Sequence, residues 1–215
     1  MSSQELIKKI ESHSQFIPGK NGTIISLGCY SECWDQVNKS ITVEVIQYFL
    51  KKNNLIQFAT KQFVSSDDVE RLIPHITYIG QLSIFISSTT ISHWNTIERG
   101  TASPESRFRS FELIEKFNVP LYLYIKPVIK NVTIKDLKAY LDVVKKYNVT
   151  GVVVGRKFVK SSIITNKINL APIGSGELKY SEDNSDIDQI VKAFSLVTDT
   201  YEESLAAVQF WRNNG

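Results

Sequence analysis

Short apolar runs bounded by Gly, Asn or Pro alternate with segments of helical period along most of the chain. Residues 22–28 (GTIISLG) form an apolar run behind a glycine turn and predict a strand. Residues 41–52 place Val45, Ile46, Phe49 and Leu50 on one helical face, with Ser40 as the expected N-cap and Lys51 and Lys52 suited to the C-terminal dipole. LIQFAT (55–60) predicts a second strand. Residues 65–76 predict a helix that opens on serines and two aspartates and buries Val69, Leu72, Ile73 and Ile76. QLSIFISS (81–88) predicts a third strand, followed by a short helical piece over 91–98. The helix expected over 103–117 has Ser103 at the cap, Pro104 at the first position, and Phe108, Phe111 and Ile114 inward. A fourth strand is expected over 119–128. Thr133 and Asp136 resemble a capping box for a helix over 133–147, with Leu137, Tyr140, Leu141 and Val144 on one face. Residues 149–155 (VTGVVVG) predict a fifth strand.

Strands buried on both faces and separated by single helices imply parallel βαβ units. Five in succession predict an α/β fold, a partial (β/α) barrel of about five to six parallel strands with C-terminal helices. A doubly wound sheet is the alternative. The rhythm fails after residue 155, where mostly loop is expected with one short helix and one strand. Two helices are expected to close the chain, over 185–196 and 200–213, the second with a Thr200/Glu203 capping box. The expected organisation is an N-terminal helical segment (1–21), the partial barrel (22–175) and a C-terminal helical extension (176–215).

Composition narrows the classes. The 215 residues are 42% hydrophobic and 22% charged, enough for one substantial core. A net charge of +3 without a basic cluster does not point to nucleic acid. No apolar run suits a signal peptide or a membrane span, so a cytoplasmic protein without a membrane partner is expected. The two cysteines are too few for a disulfide scaffold. His13, His75 and His93 are scattered and show no metal-ligand spacing.

In parallel α/β folds the chemistry gathers at the carboxyl ends of strands. Here those ends carry Cys29 to Gln36, Thr60 and Lys61, Ser87 to Thr90, Lys126 and Arg156. Cys29 and Cys33 begin a C-x3-C-x2-C spacing whose third slot is Gln36. Three stretches carry a resemblance. GCYSECWD (28–35) resembles the G-x-Y-S/T-D/E-P-Y/F-Q loop of radical S-adenosylmethionine (radical SAM) domains of the spore photoproduct lyase-like group. Thr60-Lys61 matches a Thr-Lys pair of that group. SSTT (87–90), with Glu98, Thr101, Ser103-Pro104 and Arg107, is similar to its S-x-T-T and E-P-x-x-P/S-S-P-x-x-R stretches. NVPLYLYIKPVI then resembles the group's next strand, so that the likeness covers about residues 22 to 160.

The resemblance places Cys33 where relatives have proline, and the segment bearing the three cluster cysteines would lie before residue 22. A 4Fe–4S cluster of this kind needs three cysteine thiolates, with the open iron taking SAM. Two cysteines and a glutamine do not supply them. The chain alone is therefore expected to carry no metal and no cluster, with SAM possible and a cluster present only if a partner chain supplies ligands. Cys29 and Cys33 are read as ordinary thiols, joining a shared cluster being the alternative. The resemblance implies a SAM-like ligand site from Tyr30, Ser31, Glu32, Lys61, Ser87, Ser88 and Lys126, the choice between the two serines staying open. Lys61 would offer a cation to a carboxylate, and Ser87 a hydroxyl. Glu98 and Arg107 are expected to brace a loop as an ion pair. Tyr30 and Trp34 are read as a pocket wall, a plug at the barrel mouth, or a contact for another chain.

Three functions compete. A cluster-less radical SAM-like protein acting through a partner protein, as a pseudoenzyme or accessory subunit, ranks first. A subunit of a split radical SAM enzyme, with a partner covering the open barrel edge, follows. An independent small-molecule enzyme using the strand-end rim comes last.

Overall fold

The computed structural model describes residues 1–29, 31–156, 158–160, 178–180 and 185–215. A helix, α1 (Ser3–Glu11), opens the chain on a Ser2/Glu5 capping box. Four βα repeats and a fifth strand follow. Strand β1 (Ile25–Leu27) leads to α2 (Lys39–Lys51), and β2 (Ile56–Thr60) to α3 (Ser66–Glu70). After β3 (Leu82–Ser87) come three short helices, α4 (Trp94–Ile97), α5 (Pro104–Phe108) and α6 (Leu113–Phe117). Then come β4 (Leu121–Ile125), α7 (Leu137–Tyr147) and β5 (Gly151–Val154). Strands β6 (Phe158–Lys160) and β7 (Leu178–Tyr180) pair antiparallel outside the main sheet, and α8 (Ser185–Phe194), β8 (Thr200–Tyr201) and α9 (Ser204–Asn214) close the chain.

The main sheet has the order β1-β2-β3-β4-β5-β8, every neighbouring pair is parallel, and the sheet does not close. This is the expected partial barrel, with six strands. Its convex face buries Phe58, Ile84, Ile86, Leu123 and Val152 beneath the helices, where α1 also packs through Leu6, Ile7 and Ile10. Its concave face carries Leu55, Phe85, Tyr122 and Val153, and α9 fills it with Ala207, Val208 and Trp211. Strands β2 to β5 therefore hide side chains on both faces, which is why their runs are continuously apolar. Among the described residues no strand pairs with the outer edge of β1. No helix among them is long and apolar enough to cross a membrane.

Several boundaries differ from expectation for local reasons. Ser40 lies inside α2, because the Asp35 carboxylate already takes the Val37 and Asn38 N–H groups and starts the helix earlier. The segment 65–76 ends as α-helix at Glu70, short of Pro74, which disfavours helix in the residue before it. The stretch 103–117 is interrupted by a 3-10 turn at Arg109–Glu112, where the Ser110 hydroxyl accepts the Val64 N–H instead of facing solvent. Thr133 and Asp136 do not cap their own helix. Thr133 donates to the Thr89 carbonyl, and Asp136 accepts the Thr90 hydroxyl and the Ile91 and Ser92 N–H groups, so both tie α7 to the end of β3. Thr200 is not an N-cap. It pairs with Val152 in the sixth strand, and Glu203 takes the N-cap position of α9 without making a capping hydrogen bond through its side chain. The loop expected over 156–186 lies largely outside the described residues.

Candidate functional site

The carboxyl ends of β1 to β4 surround a cavity of about 430 Å3. Ser31, Glu32, Lys61, Ser87 and Lys126 all line it, together with Cys29, Asp35, Thr60, Gln62, Arg99, Thr101 and Tyr124. Ser88 does not. Adjacent strand residues face opposite ways, and its hydroxyl is buried against the Tyr140 hydroxyl at 3.1 Å and the Thr90 carbonyl at 3.3 Å. Tyr30 lies outside the described residues. Arg156 borders a separate, smaller cavity with Asp188 and Glu202.

The floor and walls are braced by charge. Gly28 turns the chain out of β1 with φ +76°, and a Cβ there would lie 2.1 Å from the Ala59 carbonyl oxygen. Only glycine allows this approach. It brings the loop onto β2, where the Glu32 carboxylate accepts from the Thr60 hydroxyl (2.6 Å), the Trp34 N–H (2.9 Å) and the Lys61 N–H (2.9 Å). Glu32 thus spends its acceptor capacity on the protein. Lys61 meets Glu98 at 3.0 Å, so its ammonium is already paired. Glu98, itself buried, also accepts from Arg107 at 2.8 Å and from the Thr89 N–H at 3.0 Å. Burial raises the Glu98 pKa, but Arg107, the Thr89 N–H and Lys61 outweigh it and hold the carboxyl below the ordinary range. Arg107, with no exposed surface, donates to the Ser87 carbonyl at 2.6 Å, which fixes the end of β3.

Lys126 reaches the cavity across Gly155, where a Cβ would lie 2.5 Å from its Cδ. Burial lowers its pKa, against the pull of Glu203 and Cys29. Trp34 is neither pocket wall nor plug. It is 1% exposed and stacks on Phe58 with ring centres 4.4 Å apart.

Cys29 and Cys33 offer two thiols where a radical SAM 4Fe–4S cluster takes three thiolates. Cys33 is buried, donates to the Ala59 carbonyl at 3.7 Å, and has its thiol pushed up to about 12 by burial and then by the Glu32 charge. Such a thiol resists becoming the thiolate that iron requires. Cys29 is exposed at the cavity. Among the described residues no three His, Cys, Asp or Glu side chains come together as a metal site.

Sequence reasoning missed Tyr124, Arg99 and Gln62 as cavity residues. Tyr124 was readable, because strand alternation sets it on the same face as Lys126. Arg99 adjoins Glu98 in the most distinctive motif, but nothing in its spacing shows that the loop turns over the cavity.

No family model and no curated protein matches the chain. Solved structures match in shape. Spore photoproduct lyase complexed with dinucleoside spore photoproduct is 12% identical with a TM-score of 0.61, the match covering 94% of this chain and 65% of that one. SuiB of Streptococcus suis bound to S-adenosylmethionine is 13% identical with a TM-score of 0.56, over 95% of this chain and 44% of that one. A domain of pyruvate-formate lyase-activating enzyme from Bacteroides vulgatus is 10% identical with a TM-score of 0.54, over 81% and 95%. The chain thus spans about two thirds of the lyase and under half of SuiB. The fold is radical SAM-like.

Proposed function

We propose that this chain is a radical SAM-fold protein that binds a SAM-like ligand in the strand-end cavity, carries no cluster on its own cysteines, and acts through a partner protein as an accessory subunit. One observation carries the reading: Ser31, Glu32, Lys61, Ser87 and Lys126, from four separate strand ends, share one cavity large enough for a small ligand. The bracing of that cavity by the Lys61–Glu98–Arg107 array supports a built site over a loose loop cluster. SuiB, of the same fold, has been solved with S-adenosylmethionine bound. The raised Cys33 pKa supports assigning cluster chemistry elsewhere.

A split enzyme is the second reading, favoured by the outer edge of β1, which no strand among the described residues pairs, beside the cavity loop. Open edges of this kind are ordinarily covered. In that case SAM cleavage appears only when a cluster-bearing chain is added.

Calorimetry with SAM on the purified chain tests the ligand claim. One site per chain is expected, with affinity lowered about tenfold by Lys126→Met, in line with a lost charged contact. No heat of binding at millimolar SAM would refute it.

A further inference from the structure

We propose that Arg99 is the anion-recognising residue of this cavity, taking the carboxylate or phosphate of the ligand. The proposal rests on the cavity being a ligand site and goes further by naming the group that is recognised and the residue that recognises it.

Three cations line the cavity: Lys61, Arg99 and Lys126. Lys61 is engaged by Glu98 at 3.0 Å. Lys126 is drawn on by Glu203. Arg99 is exposed, and among the described residues it has no ion pair or hydrogen bond through its side chain. The cavity carboxylates do not compete for it at full strength. Glu32 holds three protein donors, and Asp35 holds the Val37 and Asn38 N–H groups and the Asn38 amide.

The loop that carries Arg99 has a fixed base and an adjustable tip. At one end Glu98 is pinned by Arg107, Lys61 and the Thr89 N–H. At the other, the Ala102 N–H donates to the Lys61 carbonyl at 3.1 Å, and the Thr101 hydroxyl donates to the Glu98 carbonyl at 2.7 Å. Gly100, between them, has φ +77° and open space where a Cβ would be. Arg99 therefore lines the cavity from a short, well-anchored turn. Its planar fork matches the two oxygens of a carboxylate or phosphate, which an ammonium does not. Because the site is at the surface, its attraction is expected to weaken with salt.

The test is calorimetry on the native chain, Arg99→Ala and Arg99→Lys, with SAM, decarboxylated SAM and ADP as probes. Thermal melting checks that the variants fold. Arg99→Ala is expected to weaken an anionic probe about tenfold or more, Arg99→Lys to recover part of the loss, and decarboxylated SAM to bind native chain and variants alike. The native affinity for the anionic probe should fall with added salt, and that slope should flatten in Arg99→Ala. If SAM binds the native chain and Arg99→Ala equally, the Arg99 assignment is overturned while the SAM-like reading stands. If ADP binds in an Arg99-dependent way and SAM does not bind the native chain at all, the anion site stands as a phosphate site and the SAM-like reading falls. If neither SAM nor ADP binds the native chain, both fall.

Discussion

Gly28 and Glu98 set the cavity at the level of single residues. A methyl group at position 28 would collide with the Ala59 carbonyl in a backbone conformation that L residues avoid. Gly28→Ala should therefore cost well over 1 kcal/mol and shift the loop that presents Ser31 and Glu32. A drop in urea midpoint checks this, and an unchanged midpoint would contradict it. Glu98→Gln removes the charge that both Arg107 and Lys61 answer. Leaving a fully buried guanidinium uncompensated should cost about 3–5 kcal/mol, measured the same way. The acid limb follows from the same carboxylates. Glu98, Asp68 and Asp136 have pKa values below the ordinary range, in each case because their donors outweigh burial. Groups depressed in the folded state lend stability that is complete above the unfolded carboxylate pKa of about 4. That stability is lost as pH falls through their lower folded values, since the unfolded chain then binds more protons. Chemical denaturation should show a fall between pH 5 and 2 that is reduced in Glu98→Gln relative to its own neutral value.

Among the elements, α9 and α7 each hold the sheet by side chains that no helical period reveals. α9 lies on the concave face, where Trp211 packs over Gly80 and its indole N–H donates to the Tyr122 hydroxyl at 2.6 Å. Trp211→Ala should cost about 3 kcal/mol, seen as a melting temperature lower by roughly 6–12 °C for a chain of this size. A shift under 2 °C would mean that α9 does not hold this face. Asp136 is the clamp between α7 and the end of β3. Asp136→Ala strands three donors and should cost about 2 kcal/mol. Its capping-box spacing was visible in the chain, but its partners were not, because the donors it serves are supplied by Thr90, Ile91 and Ser92 from a distant loop. Thr200 shows the same limit. Two residues of strand are too short to leave a period, so a capping pattern was the stronger local signal and long-range pairing with Val152 and Val153 overrode it.

Across the whole molecule, the open parallel sheet was legible because its second to fifth strands are buried on both faces, and helical stripes such as Val45, Ile46, Phe49 and Leu50 lie between strands. The end of the sheet at which the cavity opens followed from strand direction. The pairings that shape the cavity were less legible. Lys61 with Glu98 and Glu32 with Thr60 join loops from successive repeats, and only the fold brings those loops together. Ser87 and Ser88 were separable only once the end of β3 was placed, with Ser87 in the cavity and Ser88 against Tyr140. The central claim is that this cavity takes a SAM-like ligand without iron on Cys29 and Cys33. Its most direct test is SAM calorimetry on the isolated chain before and after anaerobic treatment with iron and sulfide, with iron content and visible absorption recorded. The account predicts one SAM site whose affinity is the same in both states, with no stoichiometric four-iron absorption. SAM binding that appears only together with four irons held stably on the isolated chain would contradict it.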